Sequence, residues 1–594
     1  MHIAASDRRE DRIRMGVVGG AFLYVLLRAL LVPPVHDECA SLIWFVWPGE
    51  WLPGQAHWDA NNHYLSTAIG IGLHRLLGGG IEAVRLGSVL AFIAYLFAGI
   101  RLARYFGSGT LRLCFIAAWS WCPFVLDLFA LFRGYGLALA AWSWALVHAL
   151  ELMRTGTLRA LIAMLLAAVV ANMAIVALVP PWAVLVALAP VLMMGGTPGR
   201  AAWGRKHWAA WVLLGVAPLA ALARLAWELQ QRGLLYHGRT DGLVEVTVAS
   251  LARLVLGSDH GALLIAVVAV VLAAIATLIL GKRRSPGWST PGGLVALLML
   301  LDLLGRVVLA RAFGINYPED RAAVHLVPEA LLLIAFAVQE ASARWPPVRH
   351  ARALLLVFPL ISLWDLNVDH TRLWPEQSIP RRFVERIVLA ERKGETPLVV
   401  GGHHQLALCW SVLAGQMGST AQLQSDGFPV GLHDWRIVDA RHIDAARPGY
   451  RVADHAQGPG LWLLERARPL QRQRLLDREL PATEGSPEFL ELIALPDSLQ
   501  QVGALRIGLH MALAAEPLSP DMALVWEVNA EDGAKLRYGS RQVSALLAGG
   551  DALRLELPYD PLPGSRRAVF YLYNPQRALL HAGPGQLRID RVGE

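Results

Sequence analysis

The feature that most constrains this chain is a series of apolar blocks between residues 14 and 367. Each is roughly 17–25 residues long, the length a helix needs to cross the hydrocarbon core of a bilayer. The 594 residues are 55% hydrophobic and only 17% charged, whereas a soluble domain carries about a quarter charged residues. After residue 370 the sequence changes to prolines, charges and short alternating runs. The pattern predicts a polytopic α-helical membrane protein with a separate C-terminal region.

The distribution of arginine and lysine predicts the orientation of the spans. The basic loops are the N-terminus and residues 104–112, 154–159, 199–207, 281–286 and 344–352. The positive-inside rule places them in the cytoplasm, so loop 35–83 and everything after residue 367 would be extracytoplasmic, as in a bacterial inner-membrane protein. This needs an odd number of spans, and we interpret eleven blocks in that way: 15–34, 84–106, 110–126, 134–153, 158–176, 178–195, 207–226, 261–281, 291–310, 321–340 and 350–367.

One segment leaves the count open. The motif "VPPW" at 179–182 fits either a turn between two helices or a kink within one. An even number of spans would put the C-terminal region in the cytoplasm.

The charge and cysteine content exclude some classes of protein. The net charge is +7, but the basic residues lie mostly at helix ends, so we do not expect a nucleic-acid partner. Four cysteines do not make a disulfide framework, although Cys39 and Cys409 could share an oxidising compartment. The first apolar run lacks a small-residue cleavage site and is interpreted as a retained helix.

The first outer loop, residues 35–83, has the composition of a functional segment. Asp37 and Glu38 follow Pro33-Pro34 at the end of the first apolar block. The second half of the loop is amphipathic and too polar to span, which favours helices lying along the membrane interface. Tryptophans suit anchoring at the level of the lipid headgroups, and the loop contains Trp44, Trp47, Trp51 and Trp58. A carboxylate pair placed there could meet a substrate whose head is in water and whose tail is in lipid.

Several motifs in order extend this pattern. After the acidic pair come Asn62-His63, "LLGG", "EAVRLGSVLAFIAYLFAGIRLARYFG" and "CPFVLDLFALFRGYGLALA". Over residues 10–340 the series resembles the bacterial branch of the GT-C glycosyltransferases, the group of protein O-mannosyltransferases and lipid A aminoarabinose transferases. Two positions depart from the pattern, because Tyr64-Leu65 replaces Pro-Pro and Phe132 replaces a small residue before Arg133.

The resemblance implies an inverting transfer of sugar from a polyprenyl-phosphate donor. The acceptor would be a lipid, an envelope polysaccharide or a protein. Asp37 would be the general base that takes the acceptor proton, and Glu38 would orient the acceptor or hold Asp37. The alternative is that both carboxylates only solvate a helix end.

The lipid phosphate leaves as an anion, so the site needs cations or N–H donors. Arg133 and Arg321 both lie where the chain re-enters the membrane, and each fits either a phosphate clamp or an arginine snorkelling to the interface. His63 and Asn62 are further candidates for ligands of the donor phosphate, although His63 could instead have a structural role. The candidate acceptor-side or secondary residues are Asp59, Tyr135 and Asp127. Asp302 and Arg306, four residues apart in one span, are expected to pair.

No cofactor is required by this chemistry. A divalent metal is not excluded, but the acidic and histidine residues of the first outer loop lack the close spacing that would select one ion: His36, Asp37, Glu38, His57, Asp59 and His63.

The C-terminal region divides by pattern. Residues 1–370 form the predicted membrane domain, 371–490 a small α/β segment, and 491–594 a β-sandwich resembling jelly-roll carbohydrate-binding modules. Such a module could bind glycan or serve as a structural cap. Its aromatic residues could stack on sugars or fill the core: Trp526, Tyr538, Tyr571 and Tyr573.

Two other functions remain compatible with the sequence. A transporter or flippase for a lipid-linked saccharide would also need many helices and outward-facing charge, although no inverted repeat is visible. A non-catalytic protein of envelope polymer assembly would use the β domain as its working part.

Overall fold

The chain forms two compact units. The computed structural model describes residues 2–194, 203–280, 290–394, 398–419, 421–425, 432–495, 499, 503–516, 518–519, 521–547 and 552–593. The predicted basic loop 281–286 lies outside these residues, and 199–207 lies outside them in part. The helical unit comprises Met1–Leu31 and Trp58–Val368, and the β-rich unit comprises Val32–His57 and Asp369–Glu594.

The helical unit is built from apolar helices. Among the described residues, six helices are long and apolar enough to cross a membrane, and a pair bent by 49°, Gly109–Ser120 with Pro123–Ala130, would make a seventh. The prediction of a polytopic helical membrane protein with a β-rich C-terminal region is thus confirmed, while the count of eleven spans stays a prediction. The helices are α1 His2–Leu31, α3 Tyr64–Leu77, α4 Ile81–Ala103, α5 Gly109–Ser120, α6 Pro123–Ala130, α7 Gly134–Thr155, α8 Leu158–Ala174, α9 Val179–Met194, α10 Arg205–Ala210, α11 Ala217–Gln231, α12 Ala249–Leu256, α13 Gly261–Leu280, α14 Pro291–Phe313, α15 Leu326–Ser342 and α16 Val357–Trp364. Helix α2, His36–Ser41, belongs to the other unit.

Local sequence signals fix several helix ends. The side chains of Ser108, Thr157 and Thr290 accept hydrogen bonds from backbone N–H groups in the first turns of α5, α8 and α14. Gly156 and Gly314 end α7 and α14 in the left-handed conformation, which glycine adopts without steric cost. These boundaries lie within a few residues of the predicted spans.

A buried ion pair joins the first helix of this unit to α6. Arg28 Nη2 lies 2.5 Å from Asp127 Oδ1, and the two side chains are 1% and 7% exposed. Arg28 also donates to the carbonyl oxygen of Asn367 at 2.7 Å. Removing one partner would leave an uncompensated charge among apolar helices. Asp127, a secondary acidic candidate in the sequence, therefore has a structural partner.

The β-rich unit contains a five-stranded mixed sheet. Its order is β2-β1-β3-β5-β4, with β1 parallel to β2 and β3 and the other pairs antiparallel. The strands are β1 Val399–Gly402, β2 Gln422–Gln424, β3 Trp435–Asp439, β4 Tyr450–Ala456 and β5 Leu461–Arg466, accompanied by α17 Arg381–Lys393, α18 His404–Gln416 and α19 Ile443–Ala446.

Two further sheets face one another across a single apolar core. One has the order β12-β9-β14-β6, with β7 also paired to β14, and the other has the order β11-β10-β13-β8. Both supply side chains to one hydrophobic cluster, which makes a β-sandwich. The strands are β6 Gln471–Leu480, β7 Thr483–Gly485, β8 Phe489–Leu495, β9 Leu505–Glu516, β10 Ala523–Ala530, β11 Lys535–Gln542, β12 Ala552–Tyr559, β13 Ser565–Tyr573 and β14 Leu579–Gly593, with α20 Val543–Leu547 after β11.

The strands of the sandwich show the alternation of buried and exposed residues that the sequence predicts, and the sandwich contains two strands more than predicted. Leu553 and Leu555 are buried while Arg554 between them is exposed. Strands β6 and β7 belong to the sandwich although they precede the predicted boundary at residue 491. Trp526 is a core residue, whereas Tyr538 is exposed.

The segment Val32–His57 belongs to the β-rich unit, although the predicted membrane domain ran continuously from residue 1 to 370. Its helix α2, His36–Ser41, continues into a π-helix at Leu42–Val46 with Phe45 fully buried. Cys39 and Cys409 are both buried free thiols.

A half-buried carboxyl of the sandwich predicts a pH-dependent stability. Burial raises the pKa of Glu556 to about 7, with Arg506 and Arg472 opposing the rise. The folded chain keeps this proton where the unfolded chain, with a pKa near 4.5, has lost it, so folding weakens as pH rises between those values. We therefore compare the free energy of unfolding of Glu556→Gln with that of wild type at pH 5 and at pH 8. We expect this difference to shift in favour of the variant between the two pH values, by an amount that approaches about 3 kcal/mol.

Thermal unfolding of the full chain in detergent at both pH values measures this. Glu531→Gln is the control, because that side chain is 80% exposed. A stability difference that stays constant from pH 5 to pH 8 would contradict the assignment.

Candidate functional site

A buried arginine marks the start of α7. Arg133 is 2% exposed, and its Nη1 donates a hydrogen bond to Asn61 Oδ1. Its guanidinium lies 5.6 Å from the centroid of the Tyr135 ring, and the edge of that ring meets His63 at 5.0 Å between centroids. We call these four residues the Arg133 cluster. The amide and the aromatic ring fix the direction of the guanidinium inside an apolar bundle.

The loop before α3 builds one side of the Arg133 cluster. Asp59 Oδ1 accepts a hydrogen bond from the backbone N–H of Asn61 at 2.7 Å, which makes a turn stabilised by an aspartate side chain. Asn62 Oδ1 accepts from the hydroxyl of Thr67 at 3.1 Å, at the start of α3. Asn61 therefore contacts Arg133, whereas the predicted phosphate ligand Asn62 packs against the helix start. Sequence reasoning missed Asn61, although it lies in the same motif.

The glycine after Arg133 allows a close approach of three chain segments. A Cβ atom at Gly134 would lie 2.2 Å from the carbonyl oxygen of Ala174 and 2.8 Å from the side chain of His63. No real side chain tolerates such distances, so only glycine lets α7 begin against the end of α8 and the histidine. The "RGYG" motif is thus a packing motif as well as the carrier of Arg133.

A second polar group lies in the interior of the helical unit. Asp302 forms an ion pair with Arg306 at 3.1 Å and a hydrogen bond with His325 Nε2 at 3.0 Å. Trp142 Nε1 donates to Glu329 Oε1 at 2.7 Å. All five side chains are at most 6% exposed. The expected Asp302–Arg306 pair is present, and the histidine and glutamate, four residues apart at the start of α15, are additions that sequence reasoning missed.

Helix α7 and the chain just after α8 connect the two polar groups. Trp142 lies on α7, the helix that begins directly after Arg133. Arg306 Nη2 donates to the carbonyl oxygen of Ala177 at 3.5 Å, three residues beyond the oxygen that packs against Gly134. A shift of α7 would disturb both groups, so the interior network supports the position of the Arg133 cluster.

Arg321 lies on a different segment, the 3₁₀ helix Asp320–Ala323, and is half-buried. Asp320 adopts a positive φ of 51°, and its backbone N–H donates to Ser250 Oγ at 2.9 Å. Burial, followed by the charge of Glu319, raises the pKa of Asp320.

The acidic pair lies in the β-rich unit, and its two members differ. Glu38 is fully buried, and its Oε2 accepts a hydrogen bond from the backbone N–H of Val35 at 3.2 Å, which caps α2. Asp37 is half-buried. The neighbouring His36 donates from Nδ1 to the carbonyl oxygen of Gln405 at 3.0 Å, which ties α2 to α18. Glu38 thus fixes the turn that carries Asp37, and Asp37 is the more accessible carboxylate.

The described parts of the chain contain no group of three or more His, Cys, Asp or Glu side chains arranged to hold a metal ion.

The chain is similar to solved structures of glycosyltransferases. One is the apo crystal structure of ArnT from Cupriavidus metallidurans, at 13% identity over 75% of this chain and 96% of that chain, with a TM-score of 0.39. The crystal structure of the same protein bound to undecaprenyl phosphate is 11% identical over 77% of this chain and 98% of that chain, with a TM-score of 0.42. The cryo-EM structure of arabinosyltransferase EmbB from Mycobacterium smegmatis is 11% identical over 98% of this chain and 64% of that chain, with a TM-score of 0.35. At these identities and TM-scores, the similarity assigns no activity, substrate or site residue to this chain.

No family model matches the sequence, and no curated protein matches it.

The packing at Gly134 predicts the effect of adding one methyl group. Gly134→Ala should force α7 away from α8 and lower the free energy of unfolding by about 1–3 kcal/mol. Gly305→Ala is the control, because a Cβ there meets nothing within 4 Å. The measurement is the thermal unfolding midpoint of each variant in detergent. If Gly134→Ala and Gly305→Ala are equally stable, the close approach at Gly134 is absent.

Proposed function

We propose that this protein is an inverting glycosyltransferase. It moves a sugar from a polyprenyl-phosphate donor to an extracytoplasmic acceptor, which is a lipid, an envelope polysaccharide or a protein. The observation that carries the proposal is the Arg133 cluster, a buried guanidinium held by an amide and an aromatic ring at the start of α7. A lipid phosphate requires a cation of this kind, because its tail stays in hydrocarbon and its head is anionic. The ordered motifs that resemble GT-C enzymes support the same chemistry.

The proposed reaction has one bond-forming and one bond-breaking event. The acceptor hydroxyl attacks C1 of the sugar from the face opposite the phosphate, and its proton passes to the Asp37 carboxylate. The bond between C1 and the phosphate oxygen breaks, so the anomeric centre inverts and polyprenyl phosphate leaves with the electron pair. Arg133 stabilises the charge that develops on that phosphate. His63, Asn62 and Arg321 are proposed as further phosphate ligands, and Tyr135 and Asp59 as acceptor-side residues.

The same proposal sets the orientation. The basic loops face the cytoplasm of a bacterial inner membrane, the N-terminus is cytoplasmic, and the β-rich unit is extracytoplasmic. Glu38 is proposed to hold Asp37, since its buried carboxylate caps the helix on which Asp37 lies.

One observation favours a second candidate function. The network of Asp302, Arg306 and His325 lies inside the helical unit, and ionisable groups within membrane helices are common in proton-coupled transporters. A flippase for a lipid-linked saccharide would move its substrate without breaking the bond between sugar and phosphate. A transfer assay with purified protein separates the two functions, because only the transferase releases polyprenyl phosphate.

Replacing the proposed base should lower turnover strongly. Asp37→Asn keeps the size of the side chain and removes its basicity, so we expect kcat to fall by about 10²–10⁴-fold with little change in KM for the donor. The measurement is release of polyprenyl phosphate from a radiolabelled donor. The control is Asp259→Asn, at a carboxylate that is 51% exposed beside Arg253. Wild-type turnover in a folded Asp37→Asn protein would rule out this mechanism.

Replacing Arg133, the proposed phosphate ligand, should weaken binding of the lipid phosphate. Arg133→Gln removes a charge-assisted hydrogen bond, so we expect affinity for undecaprenyl phosphate to fall by roughly tenfold to a hundredfold. Binding is measured by quenching of tryptophan fluorescence, with Arg75→Gln at the exposed end of α3 as the control. Unchanged affinity in a variant with the wild-type thermal midpoint would exclude Arg133 from the donor site.

A further inference from the structure

A cavity of about 700 Å³ lies within the β-rich unit. Its walls come from α18, β2, the end of β11 with α20, the start of β12, and the first-loop segment that carries His36 and Trp44. The volume falls within the range of sites that hold a small molecule or a few sugar rings. All of its lining residues belong to this one unit, and neither Asp37 nor any member of the Arg133 cluster is among them.

The charged side chains that line the cavity have one sign. Arg541 and Arg554 line it, together with the imidazoles of His36 and His404, and no aspartate or glutamate is found among the described lining residues. Arg541 is positioned by its neighbours, since Nη2 donates to Gln424 Oε1 at 3.2 Å and the guanidinium lies 5.6 Å from the ring of Trp526. A concave surface with this charge attracts anions.

The remaining polar lining suits a polyhydroxylated ligand. Hydroxyl and amide side chains both donate and accept hydrogen bonds, as sugar hydroxyls do, and here they are Ser411, Ser419, Ser425, Ser540, Gln422 and Gln542. Trp44 adds an indole whose Nε1 donates to Gln542 Oε1 at 2.6 Å, which fixes the ring at the wall of the cavity. Aromatic rings held in this way stack on the apolar faces of pyranose rings.

From these observations we infer that the cavity binds an acidic saccharide. The carboxylate or phosphate substituent pairs with Arg541 and Arg554, the sugar hydroxyls meet the serine and glutamine side chains, and Trp44 packs against a ring. His36 lines the cavity and directly precedes Asp37, so we assign the saccharide to the acceptor of the transfer reaction; this assignment rests on the proposed function, whereas the binding itself does not.

Binding to the full chain in detergent tests the inference without any donor present. The probes are tetragalacturonate, which carries carboxylates, glucose 6-phosphate, which carries a phosphate, and neutral cellotetraose, and binding is followed by isothermal titration calorimetry at low salt. We expect at least one acidic probe to bind about tenfold or more tightly than cellotetraose, and the stronger of the two identifies the acidic group.

Two variants place the binding in the cavity. Arg554→Gln alters an exposed side chain, so folding should be unaffected, and we expect it to weaken acidic-probe binding by roughly fivefold to tenfold. Ser411→Trp fills the cavity and should abolish binding of every probe. The control is Arg478→Gln, at an exposed arginine of β6 away from the cavity.

The outcomes separate this inference from the proposed function. Equal binding of acidic and neutral probes, or acidic binding that both variants leave unchanged, would overturn it. So would capture of vesicles containing phosphatidylglycerol through Arg554 in the absence of saccharide binding, because the surface would then belong to lipid headgroups. The transfer activity of Asp37→Asn does not enter the binding measurement, so either hypothesis can fail without the other.

Discussion

A charge inside a bundle of apolar helices is tolerated only where the protein supplies its partners, and this constraint organises the helical unit. Arg28 is paired with Asp127 and anchored to the backbone of Asn367. Arg306 is held by Asp302 and by the carbonyl oxygen of Ala177. Arg133 is directed by an amide and an aromatic ring. The arginines therefore do different things: the first two join helices, and the third presents a fixed cation at the start of a helix.

Close packing gives the Arg133 cluster its geometry. Gly134 lets three segments meet within van der Waals distance, and Asp59 shapes the turn from which Asn61 reaches the guanidinium. The interior network bonds to α7 through Trp142. The role proposed for Arg133, a phosphate clamp, needs this rigidity, because an arginine that could swing toward water would lose the orientation on which charge-assisted hydrogen bonding depends.

In the β-rich unit the two members of the acidic pair have different environments. The buried Glu38 closes the first turn of α2, and His36 ties that helix to α18, so the intervening Asp37 is presented on a fixed turn. The same segment supplies Trp44 to a cationic cavity. In the proposed reaction, the segment from His36 to Trp44 thus provides the base and part of an acceptor-binding surface.

The class of architecture is predictable from the sequence, since apolar runs of bilayer length and the alternation of Leu553, Arg554 and Leu555 are local patterns that record burial directly. The sequence also marked Arg133, Asp37 and the Asp302–Arg306 pair, because a charge beside or within an apolar run is visible in one dimension. Long-range contacts were needed to show that Val32–His57 belongs with the C-terminal region, that Asn61 contacts Arg133, and that β6 enters the sandwich. These are contacts between residues tens to hundreds of positions apart, and their energies depend on which surfaces meet, which no local periodicity encodes.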